Sequence, residues 1–282
     1  MFYYTEPVLL LTLDSRHLNL IIALMHIDLH NHTRFSYDSN RSMEETVIEA
    51  IEKNVKVFGF SDHLDFNEND PGNEYYNGCM QKKEFERLSK KYEGKIELLL
   101  GIEASLENAY SEKVRNAFKK HSFRYRIMSA HFVEGIVISD WIERTEREAR
   151  TSDEVDYSPY FDSLKRIVSF QEYDILGHID YYKKYSKFTD HHKTSQKHEK
   201  EYREILKKVV DGGKVIEVNT SGLRHSCREQ FPSTEILRLY RDVGGEFVAT
   251  GSDSHKSGDV AFKFDEVYNI IDNLGLKILK FK

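Results

Sequence analysis

The sequence predicts an α/β fold built on a parallel sheet or barrel, and three observations carry that expectation. Short apolar runs recur along the chain, among them VFGF, ELLLGI, RIMSA, VIEV and EFVAT. A helical stretch follows most of them, the alternation that a parallel sheet requires. Nearly every plausible strand also closes on residues that can hold a metal: His30 and His32, Asp62 and His63, Glu103, His131, His178, and Asp253 with His255. In a parallel sheet or barrel the C-terminal strand ends share one rim, so these groups are expected at one site.

At 282 residues the chain is long enough for one large α/β domain, and a single barrel from residue 25 to 282 is the economical division. A formal charge of −6 argues against an electrostatic grip on long nucleic acid. Cys79 and Cys227 stand far apart, in neither a disulfide framework nor a thiolate zinc pattern, which points to a reducing, cytoplasmic setting. Residues 1 to 24 carry two apolar stretches, but Asp14, Arg16 and His17 interrupt them, so no membrane span is expected. Met25 opens the first good strand directly. Residues 1 to 24 are therefore expected to form an extension outside the fold, with Met25 as an alternative start.

Element by element, Ser42 and Glu45 make an S-x-x-E capping box, and Val47, Ile48 and Ile51 are read as the apolar face of the helix that follows. VKVFGF is then the next strand, completing a β-α-β unit. Residues 66 to 78 are rich in Asn, Asp, Gly and Pro and read as a long loop at a strand end, where loops shape pockets. Helices near 82 to 93 and 111 to 120 and strands near 96 to 103 and 125 to 131 follow. Residues 134 to 160 show weak periodicity and many charges, and are expected to be a loop or lid before a helix over 160 to 170. From 181 to 203 the density of Lys, His and Tyr predicts a solvated loop leading to an amphipathic helix near 195 to 211. A strand at VIEVN, a helix begun by Ser233, a strand at EFVAT and a last helix near 259 to 274 complete about seven β/α units.

The metal reading rests on spacing. His30 and His32 lie two apart on a strand and so face the same side, and Asp253 and His255 repeat that spacing at another strand end. Imidazole and carboxylate without thiolate suit zinc, manganese or iron. The ligands exceed what one ion can use, so two or three divalent ions are expected. Such sites favour phosphoester hydrolysis, in which a metal-activated water attacks phosphorus.

The set H-N-H-T-x-x-S-x-D at 30 to 38, S-D-H at 61 to 63, G-I-E at 101 to 103, S-A-H at 129 to 131, G-H-I-D at 177 to 180 and G-S-D-S-H at 251 to 255 resembles the PHP (polymerase and histidinol phosphatase) metallohydrolases. The likeness runs over essentially the whole chain from Met25. It implies a distorted seven-stranded (β/α)7 TIM-like barrel with a trinuclear site. By that resemblance one ion takes His30, His32, Glu103 and Asp253, and Glu103 bridges to a second held by His131 and His178. The third takes Asp38, His63 and His255.

The segment VIEVNTSGLRH resembles the N-T-x-G-L-R stretch of the histidinol-phosphatase branch, as GHIDYYKKY resembles its corresponding strand end. The implied reaction is hydrolysis of a small phosphomonoester, L-histidinol phosphate, with Arg224 on the phosphate and Asn219 and Ser221 beside it. Asp62 and His225 are candidates for the acid that protonates the leaving group, although Asp62 could instead orient a ligand imidazole. Glu68, Asp70 and Glu74 of the long loop could meet the substrate's amine and imidazole. A nuclease or nucleotidase on the same metals is the competing enzyme class, favoured by the lysines between 183 and 208 and opposed by the acidic total. A non-catalytic module braced by metals fits poorly, since structural sites are usually closed and thiolate-rich.

Overall fold

The structure, a computed structural model, describes residues 26 to 281, so the expected extension over residues 1 to 24 lies outside the described residues. Its strands are β1 (His26–Asp28), β2 (Val55–Phe60), β3 (His63–Leu64), β4 (Glu97–Ser105), β5 (Tyr125–Ser129), β6 (Phe132–Val133), β7 (Ile136–Val137), β8 (Ile175–Leu176), β9 (Val215–Asn219), β10 (Phe247–Gly251) and β11 (Lys277–Ile278). Nine of them form one parallel sheet in the order β1-β2-β4-β5-β8-β9-β10-β11, with β3 also against β4. The sheet curls until its first and tenth strands meet: Leu29 N donates to Thr250 O at 2.9 Å and Asp253 N to His30 O at 2.7 Å.

Seven strands make the ring, as the resemblance implies, and the two extra ones have local causes. β3 resumes the line of β2 after Ser61 and Asp62, and β11 pairs only with the first residues of β10. Alternate residues of each strand point into the ring. There Ile27, Leu29, Leu99, Tyr125, Ile127, Ile175 and Ala249 pack as an inner core. Tyr125 fills its centre because β2 and β4 carry glycine beside it: a Cβ at Gly59 would lie 1.9 Å from the Tyr125 hydroxyl, and one at Gly101 2.3 Å from its ring. One step further up the same inward faces, polarity changes. Leu99 and Gly101 are followed by Glu103, and Val215 by Glu217.

A larger apolar core fills the space between the sheet and the helices outside it. The capping box is present at the helix Met43–Glu52. Its buried face is Met43, Thr46, Val47 and Ala50, whereas Ile48 is 44% exposed; the i, i+3, i+4, i+7 stripe begins at Met43 and turns Ile48 outward.

Two expectations about charged stretches are overturned. Residues 134 to 160 hold a helix, Ile138–Glu146, which buries Ile138, Trp141 and Ile142 at helical spacing within the charge-rich run. Its Glu146 is buried as well, accepting hydrogen bonds from the Tyr157 hydroxyl (2.7 Å), Ser186 Oγ (2.6 Å) and Lys187 N (2.9 Å). The stretch after Tyr181 is likewise packed rather than solvated. Tyr181, Tyr182 and Lys183 are buried, and Lys183 Nζ stands 2.7 Å from Asp180. A run of charges reads as solvated only until its partners, distant in sequence, are known. No helix among the described residues is long and apolar enough to cross a membrane.

Candidate metal centre

Glu103, which follows Leu99 and Gly101 on the inward face of β4, occupies the middle of the rim and is 1% exposed. Its Oε2 lies 3.1 Å from His30 Nε2, 3.4 Å from His32 Nε2 and 3.2 Å from His63 Nδ1. The other oxygen, Oε1, lies 3.2 Å from His131 Nε2 and 2.9 Å from His178 Nε2. Ser129 Oγ donates to the same oxygen at 2.6 Å. A single carboxylate thus faces five imidazoles delivered by the ends of four strands.

Asp253 approaches from the seam of the ring. It takes a positive φ of 54°, a conformation that Asp tolerates better than most residues. Its Oδ1 comes within 3.7 Å of His30 Nε2, 3.3 Å of His32 Nε2 and 3.4 Å of His255 Nδ1. Asp38 completes the opposite edge, with Oδ2 3.0 Å from His255 Nε2 and 3.5 Å from His63 Nε2. All nine residues read as ligands from the sequence are therefore brought together. Seven of them (all but His30 and His32) line a cavity of about 90 Å3 at the mouth of the ring.

Four groupings have ligand atoms close enough to share an ion: His30, His32 and Glu103; His63, Glu103 and His131; His32, Asp38, His63 and His255; and His30, His178 and Glu217. The chemistry of the donors fits a cation. His30 Nε2, His32 Nε2 and His63 Nδ1 are buried with no hydrogen-bond partner among the described residues, although carboxylate oxygens stand close by. Nitrogens and oxygens that approach without aligning as donor and acceptor suit a shared ion between them.

The electrostatics agree. Burial alone would raise the Glu103 carboxyl, but His30 and His131 more than reverse this and hold it well below the usual carboxylate range. Asp253 behaves in the same way, with burial outweighed by His30 and His32. Burial and the neighbouring rings of His255 and His63 push His32 down to about 3, leaving it a bare imidazole.

The residues assigned to catalysis and substrate binding fall elsewhere. Asp62 is wholly buried off the cavity wall, accepting from Thr33 and from Ser36 Oγ at 2.9 Å. The same Ser36 Oγ lies 3.0 Å from His32 Nδ1, so Asp62 reaches the site through a ligand imidazole. Arg224 uses part of its guanidinium on the chain itself: Nη2 donates to the carbonyls of Ser252 (2.9 Å) and Asp253 (3.0 Å) and Nε stands 3.4 Å from Asp259, while Nη1 is buried with no hydrogen-bond partner among the described residues. Asn219 accepts from Ser221 N at 2.9 Å, and both are buried away from the wall. His225 is half-buried beside Lys184 and Arg224, and burial first, then those charges, pushes it to about 4. The turn Ser221–Arg224 brings Arg224 onto the carbonyls of Ser252 and Asp253, next to the ligand-bearing 252–255 loop.

Three contributors escaped the sequence reading. Glu217 Oε1 stands 2.7 Å from His30 Nδ1 and its Oε2 accepts from His178 N at 3.0 Å. Gly251 makes room for it, since a Cβ there would lie 2.2 Å from that carboxylate. An acid in the middle of the apolar VIEV run was the available signal. Asp65, two residues after His63, sits between the Nδ1 atoms of His63 (3.7 Å) and His131 (3.8 Å). Tyr181 stacks on His178 with ring centres 4.1 Å apart.

Comparison with known sequences places residues 28 to 221 within the pattern of the PHP domain. The chain belongs to the PHP domain family. Among its relatives, a probable histidinol-phosphatase of Clostridium acetobutylicum is 30% identical over 92% of this chain and 97% of its own length. A histidinol-phosphatase of Lactococcus lactis is 27% identical over 81% and 84%. Among solved structures, the histidinol phosphate phosphatase of Lactococcus lactis, complexed with zinc, L-histidinol and phosphate, superposes with a TM-score of 0.80 at 24% identity, covering 91% of this chain and 96% of that one. That likeness shows a shared fold over 91% of this chain.

Proposed function

We propose that this PHP-family chain is a metal-dependent phosphomonoesterase that hydrolyses L-histidinol phosphate to L-histidinol and phosphate, a step of histidine biosynthesis. The observation that carries it is the convergence of six imidazoles and three carboxylates at one small rim cavity, in a chain that matches a probable histidinol-phosphatase over nearly its full length. Two or three ions, of zinc, manganese or iron, are the loading that this many donors supports. Bound there, such ions supply Lewis acidity that makes a water nucleophilic near neutral pH and offsets charge on the phosphoryl oxygens.

The protein's own groups do the rest. Glu103 and Asp253, held as anions, gather the imidazoles around a common centre. Glu217, Asp65 and the Asp62–Ser36 pair accept from or abut the far nitrogens of His30, His131 and His32, which fixes ring orientation. In this reading Asp62 is an orienting carboxylate rather than the proton donor. Lys184 brings the cavity wall a cation, and Arg224 holds the 252–253 backbone from which Asp253 projects.

The lysines between 183 and 208 do not form a free basic track. Lys183 is buried on Asp180, Lys193 pairs with Asp190 at 3.1 Å and Lys208 with Glu204 at 3.6 Å. The substrate is accordingly a small molecule, not a nucleic acid, and the free thiols of Cys79 and Cys227 suit a reducing cytoplasm. The test is a phosphate-release screen on metal-assayed protein, with histidinol phosphate beside sugar phosphates, mononucleotides and a diester dye. Preferential release from histidinol phosphate is expected. Release from the diester dye alone would overturn the reading.

A further inference from the structure

A second cavity, of about 410 Å3, lies between the helices Ser111–Lys120 and Ser158–Phe170 and shares no lining residue with the one at the metals. Its volume is in the range of small-molecule sites. Three cations line it: Arg115 from the first helix, and Lys165 and Arg166 from the second. The rest of the lining is Leu106, Phe170 and two serines, and no carboxylate belongs to it. The cleft is thus cationic in a chain whose formal charge is −6.

These cations are held in place rather than spread into solvent. All three are half-buried. Arg115 lies over the Phe170 ring, 4.7 Å from its centre, and Arg166 Nη2 donates to Ser163 Oγ at 2.7 Å. The acids that meet them stand outside the cleft. Arg115 donates through Nε to Glu172 and through Nη1 to Glu112, both at 2.7 Å, and Lys165 Nζ is 3.5 Å from Asp162. The side chains of those acids are 43 to 74% exposed, so water and salt screen the pairs. Arg166 pairs with no carboxylate among the described residues. Positive charge inside the cleft is therefore only partly met by the protein itself.

We propose that this cleft is a binding site for a small organic dianion of the phosphate-ester or sulfonate type, with its anionic groups on Arg115, Lys165 and Arg166 and its apolar body against Leu106 and Phe170. Guanidinium groups match tetrahedral oxyanions through paired N–H donors. Two such groups, already fixed by Phe170 and Ser163, lose little freedom on binding. An inorganic ion would leave the apolar end of the cleft unused. The site stands apart from the metal centre, and it does not depend on the phosphatase reading.

The test is calorimetric titration of the metal-loaded protein with two probes that are poor metal ligands. Naphthalene disulfonate offers two anionic groups on an apolar body, and ethane disulfonate lacks that body. Wild type is expected to bind one equivalent of the naphthalene probe, about tenfold more tightly than the ethane probe. Arg115→Gln and Arg166→Gln should each weaken it about tenfold, with metal content and melting temperature at wild-type values. Binding should survive Glu103→Gln, which removes the carboxylate shared at the rim. Loss of binding in that variant, in protein that still melts cooperatively, would place the probe at the metals and overturn the proposal. Absence of saturable binding by wild type, equal affinity for the two probes, or an affinity within twofold of wild type in either arginine variant overturns it as well.

Discussion

Among the described residues two sets of histidines are shielded from solvent, and one of them is built to hold cations. On the rim, five imidazoles present ring nitrogens within 3.4 Å of the Glu103 carboxylate. Beneath the helices, His191 and His198 are as buried as the most enclosed rim rings, but no carboxylate is shared between them: His198 stacks on Phe161 at 4.5 Å with only Glu201 near its Nδ1, at 3.7 Å, and His191 meets the edge of Tyr182. Burial lowers both of the latter, His191 to about 4, with Lys183 adding to the effect. Burying an imidazole does not make it a ligand. Anionic oxygen at the ring nitrogen does, by offsetting the charge of an ion that a buried site must otherwise carry alone.

The strongest way to break that contrast is to remove the shared anion. Glu103→Gln preserves volume and deletes the charge, and should lower kcat/KM by about 10³-fold or more, roughly 4 kcal/mol. Metal content measured on the same protein should fall with it. A variant that stays fully loaded would show that the imidazoles suffice. Asp38→Ala, at the outer edge with His63 and His255, should lose about one equivalent of metal while the inner ions remain. Undiminished metal in this variant removes Asp38 from the ligand set.

Arg224 sharpens a different boundary, between groups that touch substrate and groups that hold the site in shape. Its alanine variant should raise KM and lower kcat/KM about 10²-fold. Near-normal kinetics would leave the guanidinium as nothing more than a clasp on the 252–253 carbonyls. Glu217→Gln probes the ring's far side. Chelator competition should show metal bound about 10- to 100-fold more weakly, because His30 loses the anion that fixes its tautomer. Equal affinity would make Glu217 a packing residue.

How much of this was legible in the sequence follows from the same physics. Strand ends with HxH or DxH spacing declare themselves, since period-two alternation puts both residues on one face. The parallel order of apolar runs then sets the rim. His191 and His198 follow no apolar run, so nothing in their sequence context draws them to the rim. Glu217 was missed because an acid inside VIEV is indistinguishable in sequence from an outward-facing one until the strand's phase is known. The helix Ile138–Glu146 was missed because Glu146 owes its burial to Tyr157, Ser186 and Lys187, which no local pattern links to it. For residues 219 to 225 the strand's phase matters as well. Their position after a strand is as expected, but the turn brings Arg224 onto the carbonyls of Ser252 and Asp253, and none of these side chains lines the cavity.

The contrast between the two histidine sets also has a thermodynamic signature with opposite signs. In metal-stripped protein, carboxylates outweigh burial at His63 and raise it to about 9, so protonation there favours the folded state as pH falls toward neutrality. His191 runs the other way. Its folded-state value of about 4 lies below the ordinary 6.5, so from about pH 6.5 downward the unfolded chain takes up a proton that the folded chain refuses. The stability due to neutral His191 is complete above that window and lost across it, at most roughly 3 kcal/mol in total. Comparing wild type with His191→Gln isolates the effect from the rim, which both share. Denaturant titrations at pH 7.5 and 4.5 should show the variant gaining on wild type as pH drops. A stability difference that does not move between those two pH values would mean that the ring is solvated or paired, and the opposite signs of the two sets would be lost.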